Sequence, residues 1–325
     1  MTMLSRVAEH IYWMARYLER AENTARLLNV NGSLILDLPK HARPGWASLI
    51  AITGADELFY KNYPSAAEGH VVKFMLSDDE NPGSILSSIR SARENARTVR
   101  DIIPREAWEQ INELYLKARE NLASGLSPKW RYAFLREVIL SVQQIAGILD
   151  GAMSHDAGFE FMEMGRNLER ADMTTRIIDV RSLSLSREAE AEALKPFENI
   201  LWMSVLRSLT AYQMYRRHML AAVKREAVLQ FLFQNHQFPR AFRFCLDEVQ
   251  SGLGRLPRSA PVLEALAPLT AQIEAANPES LGQTELMEFI DELQIKLGEI
   301  HEAIVETYFG VVEEPAKQSQ GQSSV

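Results

Sequence analysis

From Val7 onward, apolar residues recur at Ile11, Met14, Ala15, Leu18, Ala21 and Ala25, the three-to-four-residue step of one helix face. The same step runs through Trp108, Ile111, Leu114, Tyr115, Ala118 and Leu122, and again through Ala133, Leu135, Val138, Val142, Ile145 and Leu149. Pro104 suits the first turn of the earlier of these two helices, where a missing N–H costs little; Gly125 is expected to stop it and Ser127-Pro128 to start the next. The pattern predicts further helices over 81–103, 159–182, 188–234, 239–255, 261–276 and 280–309, with the long 188–234 stretch breaking once near Leu220–Arg225. Strand-like alternation is nearly absent, and Asn31-Gly32 has no strands around it. The expected fold is all-α.

Compared with itself, the chain repeats. Residues 14–28 read MARYLERAENTARLL and residues 164–178 read MGRNLERADMTTRII. At an offset of 150, Met14, Arg16, Leu18, Glu19, Arg20, Ala21, Thr24 and Arg26 are identical to Met164, Arg166, Leu168, Glu169, Arg170, Ala171, Thr174 and Arg176, while Glu22 answers Asp172. Fainter echoes follow, with the spacing drifted by a few residues: Trp46-Ala-Ser-Leu with Trp202-Met-Ser-Val, and Phe74-Met-Leu plus Pro82 with Phe231-Leu-Phe plus Pro239. The expected organisation is two tandem copies of one helical unit, 1–154 and 155–312, packed as one pseudo-two-fold bundle. The polar, aperiodic segment 313–325 is expected to be a disordered tail.

On a helix, Arg16, Glu19, Arg20 and Asn23 share a face, with Glu22 and Arg26 paired beside it; the second copy supplies Arg166, Glu169, Arg170, Asp172 and Arg176. Two readings stay open. Exposed Glu–Arg pairs contribute only about 0.2–0.5 kcal/mol each, whereas truncating a buried one costs about 3–5 kcal/mol, which would account for the retention of matched charges. Alternatively the arginines converge on a cleft for a carboxylate or phosphate, since guanidinium groups offer paired donors. A di-metal carboxylate site fits poorly, because the chain has no Glu-x-x-His. A second polar cluster, Arg93, Asn95 and Arg97, is confined to the first copy and is either a solvated face or part of one real site.

Composition narrows the classes. The 325 residues are 46% hydrophobic and carry a formal net charge of −8, which argues against a generic nucleic-acid or anionic-membrane binder. No uninterrupted apolar run approaches the roughly 18 residues of a membrane span, and Arg6, Glu9, His10 and Arg16 break up any signal-peptide core. The expectation is a soluble, cytoplasmic protein. The lone Cys245 reads as a packing residue, and His10, His155 and His218 as isolated polar residues. No phosphate loop, dinucleotide fingerprint or nucleophile elbow is present, so no cofactor is implied. The basic interval Arg216-Arg217-His218 to Lys224-Arg225 reads as a solvated helix face able to meet an acidic partner.

The opening Met3-Leu4-Ser5-Arg6-Val7-Ala8-Glu9-His10-Ile11-Tyr12-Trp13-Met14-Ala15-Arg16-Tyr17-Leu18-Glu19-Arg20-Ala21-Glu22-Asn23-Thr24-Ala25-Arg26 strongly resembles the bacterial Alpha-E domain family. So do Asn81-Pro82-Gly83-Ser84-Ile85, the stretch Ala92 to Asp101, and Gly165 to Asp172. The resemblance implies an all-helical protein without established catalytic residues. It also implies an association with a circularly permuted ATP-grasp protein resembling amide ligases, often with a transglutaminase-like protein nearby. The resulting expectation is an accessory partner of an amide (peptide) ligase, leaning away from enzyme. Its Arg/Glu cleft would bind the ligase or an anionic substrate. The alternatives are an enzyme using Glu19 or Glu169 as acid–base group on a small anionic or amine substrate, and a homo-oligomeric scaffold in which the motifs are purely structural.

Overall fold

The computed structural model describes residues 5–37, 45–184, 195–220 and 222–310; the expected tail 313–325 lies outside them. Among the described residues every regular element is helical, with fifteen α-helices and no strand. The first nine are α1 (Ser5–Asp37), α2 (Ala47–Thr53), α3 (Asp56–Asn62), α4 (Glu68–Ser77), α5 (Ile85–Thr98), α6 (Arg105–Glu120), α7 (Leu122–Leu126), α8 (Arg131–Ala152) and α9 (Ala157–Ser184). The remaining six are α10 (Glu198–Ser208), α11 (Tyr212–Met219), α12 (Arg225–Gln234), α13 (Phe242–Gly254), α14 (Ala260–Ala275) and α15 (Gln283–Ile304), the last continued by a π-helical turn over Val305–Phe309.

Two long helices form the axis. α1, with 33 residues, and α9, with 28, pack directly on each other. Around α1 lie α5 and α8, bridged by α6; around α9 lie α13 and α15, bridged by α14. The apolar stripe read from Ile11, Met14, Ala21 and Ala25 is fully buried here, and one continuous hydrophobic core runs from Ala8 to Tyr308 through both halves of the chain. The two long helices come close at Gly165, where a Cβ would stand 2.4 Å from the backbone carbonyl oxygen of Tyr12. Only a residue without a side chain lets the two backbones meet there.

Several boundaries differ from expectation for identifiable reasons. The first-turn proline is an N-cap: Pro104 precedes α6, which begins at Arg105. Gly125 does not end α6, which stops at Glu120; it lies buried inside α7, where a Cβ would come within 2.8 Å of Leu76 and Phe134. α5 starts only at Ile85, because Asn81 to Ser84 form its entry turn and the Ser84 hydroxyl accepts the N–H of Ser87. The long 188–234 helix is broken twice among its described residues. Thr210 (φ 55°) and Leu220 (φ 49°) both take left-handed backbone conformations, so α10, α11 and α12 are separate. The short helices α2, α3 and α4 had no clear periodic signal. Among the described residues one helix, α8, is long and apolar enough to cross a membrane by length and composition. Its Phe134, Leu135, Val138, Val142, Ile145 and Leu149 are nevertheless buried in the core.

Candidate functional site

The i, i+3, i+4 spacing of each motif turns its charged side chains toward the facing helix, and at the α1–α9 contact they interlock. Glu169 Oε1 accepts from Arg20 Nε at 2.6 Å, and its Oε2 accepts from Arg16 Nε and Arg20 Nη2, both at 2.9 Å. In the opposite direction, Glu19 pairs with Arg170 at 3.0 Å and accepts from Arg240 at 2.5 Å and from Asn23 at 3.2 Å. Both carboxylates are buried, at 3% and 1% exposure for Glu19 and Glu169. Glu22 accepts from Arg26 at 2.9 and 2.6 Å and from Arg240 at 3.1 Å. The pair Asp172–Arg176 on α9 closes at 2.8 Å beside the junction.

Burial alone would push the carboxyls of Glu19 and Glu169 up. The charges of Arg170 and Arg240 on one, and of Arg20 and Arg16 on the other, outweigh it and hold both at about 2. Every oxygen of the two groups is engaged, so neither offers a free edge to a substrate proton. The arrangement is a closed knot rather than an open acid–base site, and its partners are charge-assisted hydrogen bonds of the stronger kind.

Not all candidates join it. Arg166 pairs instead with Glu163 on its own helix, at 2.8 Å. Arg93 donates to Asn112 at 2.7 Å and to Glu94 at 2.6 Å, beneath the rings of Trp108 and Tyr115. Asn95 is bonded to His10 at 2.7 Å and to the carbonyl of Ser91, and Arg97 pairs with Glu94 while largely exposed. This second cluster braces α5 against α6 and α1 and makes no contact with the knot.

Two contributors were not anticipated. Arg240, on the turn before α13, reaches Glu19, Glu22 and Asn23 (Oδ1, 2.8 Å) from 217 or more residues away. Only the echo of Pro82 in Pro239 marked its surroundings. At the other end, the buried Tyr12 hydroxyl meets Arg16 at 3.3 Å and His301 at 2.9 Å. Burial and the nearby Arg16 push the His301 imidazole down to about 4. Cys245 is buried beside Arg170 and Glu19, and burial pushes its thiol up to about 12. No group of three or more His, Cys, Asp or Glu is placed to hold a metal among the described residues.

Beside the knot lies a cavity of about 480 Å³, lined by Arg20, Thr24, Glu169, Asp172 and Arg176 from the two axial helices. Its remaining wall comes from Met173, from Thr53, Gly54, Ala55, Glu57 and Leu58, and from the Asn81-Pro82-Gly83 turn. Gly54 (φ 64°) shapes that wall: a Cβ there would lie 2.9 Å from Arg176 Nη1, so the glycine provides both the turn and the room for the guanidinium.

Uncharacterised proteins of Mycobacterium bovis and Mycobacterium tuberculosis are similar to this chain, each 23% identical over 320 residues. The match takes in 92% of this chain and 35% of theirs, so the chain spans about a third of the length of these relatives. No solved structure matches. The Alpha-E family, described as a predicted alpha-helical domain with a conserved ER motif, matches residues 3–309. Glu-Arg occurs in this chain at Glu19-Arg20 and Glu169-Arg170, the two sides of the knot. Matched over nearly its whole length, the chain belongs to the Alpha-E family.

Proposed function

We propose that this protein is a non-catalytic helical partner of an ATP-grasp-type amide ligase, built from two copies of one helical unit closed on each other by the Glu–Arg knot. The closure of Glu19 and Glu169 carries the non-catalytic part of this reading. The carboxyls suggested as acid–base groups are buried, ionised and fully occupied by arginines. Arg20–Glu169 and Arg170–Glu19 join positions that match at the offset of 150, which supports a duplicated origin. The ligase as partner rests on the family resemblance. It is consistent with relatives in which a region like this one forms about a third of a longer chain, alongside further sequence.

Co-purification with the ligase, and its turnover measured with and without this protein, test the proposal. Stable association with altered turnover supports it. Absence of both association and any effect on turnover ends it.

A further inference from the structure

From Asn199 to Arg225 the chain carries no aspartate or glutamate, while Arg207, Arg216, Arg217, Lys224 and Arg225 fall within it. The basic interval is not one helix face. α11 ends at Met219, Leu220 takes a left-handed backbone conformation, and Lys224 lies beyond it, just before α12. The two parts are joined at the core. The hydroxyl of the buried Tyr215 donates to the carbonyl of Ala222 at 2.8 Å, and its ring meets Phe231 of α12 edge-on at 5.7 Å. Arg216, Arg217 and Leu220 therefore lie on a turn of chain whose ends are tied together, with Lys224 two residues past the tie.

The fold does not use these cations. Arg207 lies over the ring of Tyr212, and Arg225 donates to the carbonyl of Leu281 at 2.8 Å. Arg216, Arg217 and Lys224 are exposed and pair with no carboxylate among the described residues, whereas Arg90, Arg93 and Arg97, the arginines of α5, each do. Glu198 and Glu226 flank the stretch, and Glu279 lies two residues before the carbonyl that Arg225 holds. Setting all three against the five cations still leaves two positive charges in excess, in a chain of net charge −8. Arg216 and Arg217 stand in the last turn of α11, where the helix dipole favours them, but Lys224 has no such reason. Between Arg217 and Lys224, Leu220 is 88% exposed, more than any other large apolar residue among the described ones. Glycine or asparagine takes its backbone conformation at lower cost, so the leucine is neither buried nor required by the turn.

We propose that Arg216, Arg217, Leu220 and Lys224 form a docking surface for an acidic segment of a partner protein, with carboxylates around one bulky apolar side chain. The carboxylates pair with the free cations, and the apolar side chain covers Leu220 and removes it from water. A lipid surface fits less well. The apolar side of α11 carries Tyr215 into the core, which leaves one leucine to insert, and the chain as a whole repels an anionic bilayer. A nucleic-acid backbone would gain nothing from the leucine. The inference goes beyond the function proposed above and stands whichever protein supplies the segment. Its test uses this chain and a synthetic peptide, so its failure leaves the ligase association untouched.

The test is fluorescence anisotropy of a labelled Asp-Glu-Leu-Asp-Glu peptide titrated with the full chain. Saturable binding is expected, weakening as salt rises from about 0.05 to 0.3 M. The matching Asn-Gln-Leu-Asn-Gln peptide should bind at least about tenfold more weakly. Arg216→Gln combined with Arg217→Gln should weaken binding of the acidic peptide by about tenfold, through exposed charges that the fold does not need. Leu220→Gly should weaken it by about tenfold while leaving the melting temperature level or higher, because glycine suits the left-handed backbone. A leucine held for stability would instead lower the melting temperature. No binding of the acidic peptide, equal binding of the neutral one, unchanged affinity in the variants, or displacement of the peptide by phosphatidylglycerol vesicles or a thymidine oligonucleotide at lower concentration than by unlabelled peptide would each overturn the assignment.

Discussion

Arg20 holds Glu169 through two hydrogen bonds, of 2.6 and 2.9 Å, across the contact between α1 and α9, while Glu19, its neighbour in sequence, is held by Arg170 from the opposite side. Each helix thus neutralises the carboxylate of the other. The apolar faces bring the helices together, and the exchange of charges fixes which turn of one meets which turn of the other. A slip by one turn would leave two buried carboxylates facing the wrong partners.

Glu169→Gln therefore strands Arg16 and Arg20 in a buried place, and Glu19→Gln does the same to Arg170 and Arg240. Each should lower the unfolding free energy by about 3–5 kcal/mol, measured by urea denaturation. A substitution that left stability intact while removing an activity would instead favour the acid–base role.

Acid should act on the same groups. With the Glu19 and Glu169 carboxyls held at about 2, below the usual 4.5, the unfolded chain takes up these protons first. Their contribution is complete above about pH 4.5 and is lost as pH falls towards 2. His301, held at about 4 instead of 6.5, adds an earlier loss, because between those values only the unfolded chain binds its proton readily. Asp179, held up at about 6 by burial and the nearby Asp291, acts in the opposite sense, because there the folded chain binds the proton first. Melting temperature against pH should therefore change little between neutrality and about 4.5, where these two groups oppose each other, and fall steeply below it. His301→Gln should let stability rise as pH falls from about 6.5 to 4.5 and leave the steep fall below unchanged.

Arg240→Leu should cost about 3–5 kcal/mol, since it removes one cation from Glu19, Glu22 and Asn23 at once. Arg97→Ala, on the exposed face of α5, should change stability by no more than about 0.5 kcal/mol. Equal effects in chemical denaturation would contradict the separation of the two clusters.

One substitution should have opposite signs at two glycines. Gly165→Ala drives a methyl into the Tyr12 carbonyl and should destabilise by about 1–3 kcal/mol or more. At Gly147, an exposed position of α8, an added Cβ meets nothing within 4 Å, so Gly147→Ala should stabilise by up to about 1 kcal/mol through helix propensity. Thermal denaturation of the two variants side by side measures both.

The long helices were legible because a three-to-four-residue stripe such as Ile11, Met14, Leu18 and Ala21 persists over many turns, and the α1 and α9 charges were legible because they recur at matched positions. Helices of seven residues, such as α2 and α3, are too short to establish a period. The break at Thr210 left no signal, since tertiary packing holds a non-glycine residue at positive φ there. Arg240 escaped for a different reason. It is a single residue on a turn, and its role exists only once the chain has folded back across a separation of 221 positions to place it on Glu19.

The reciprocal exchange also has a genetic consequence. Because Glu169 depends on arginines of α1, and Glu19 on arginines of α9 and of the turn before α13, damage to one motif cannot be repaired within that motif. Suppressors of a charge-reversing change at Arg20 should map to Glu169, at the far side of the knot, and those of a change at Arg170 should map to Glu19. In inheritance as in structure, the two stretches would behave as one locus.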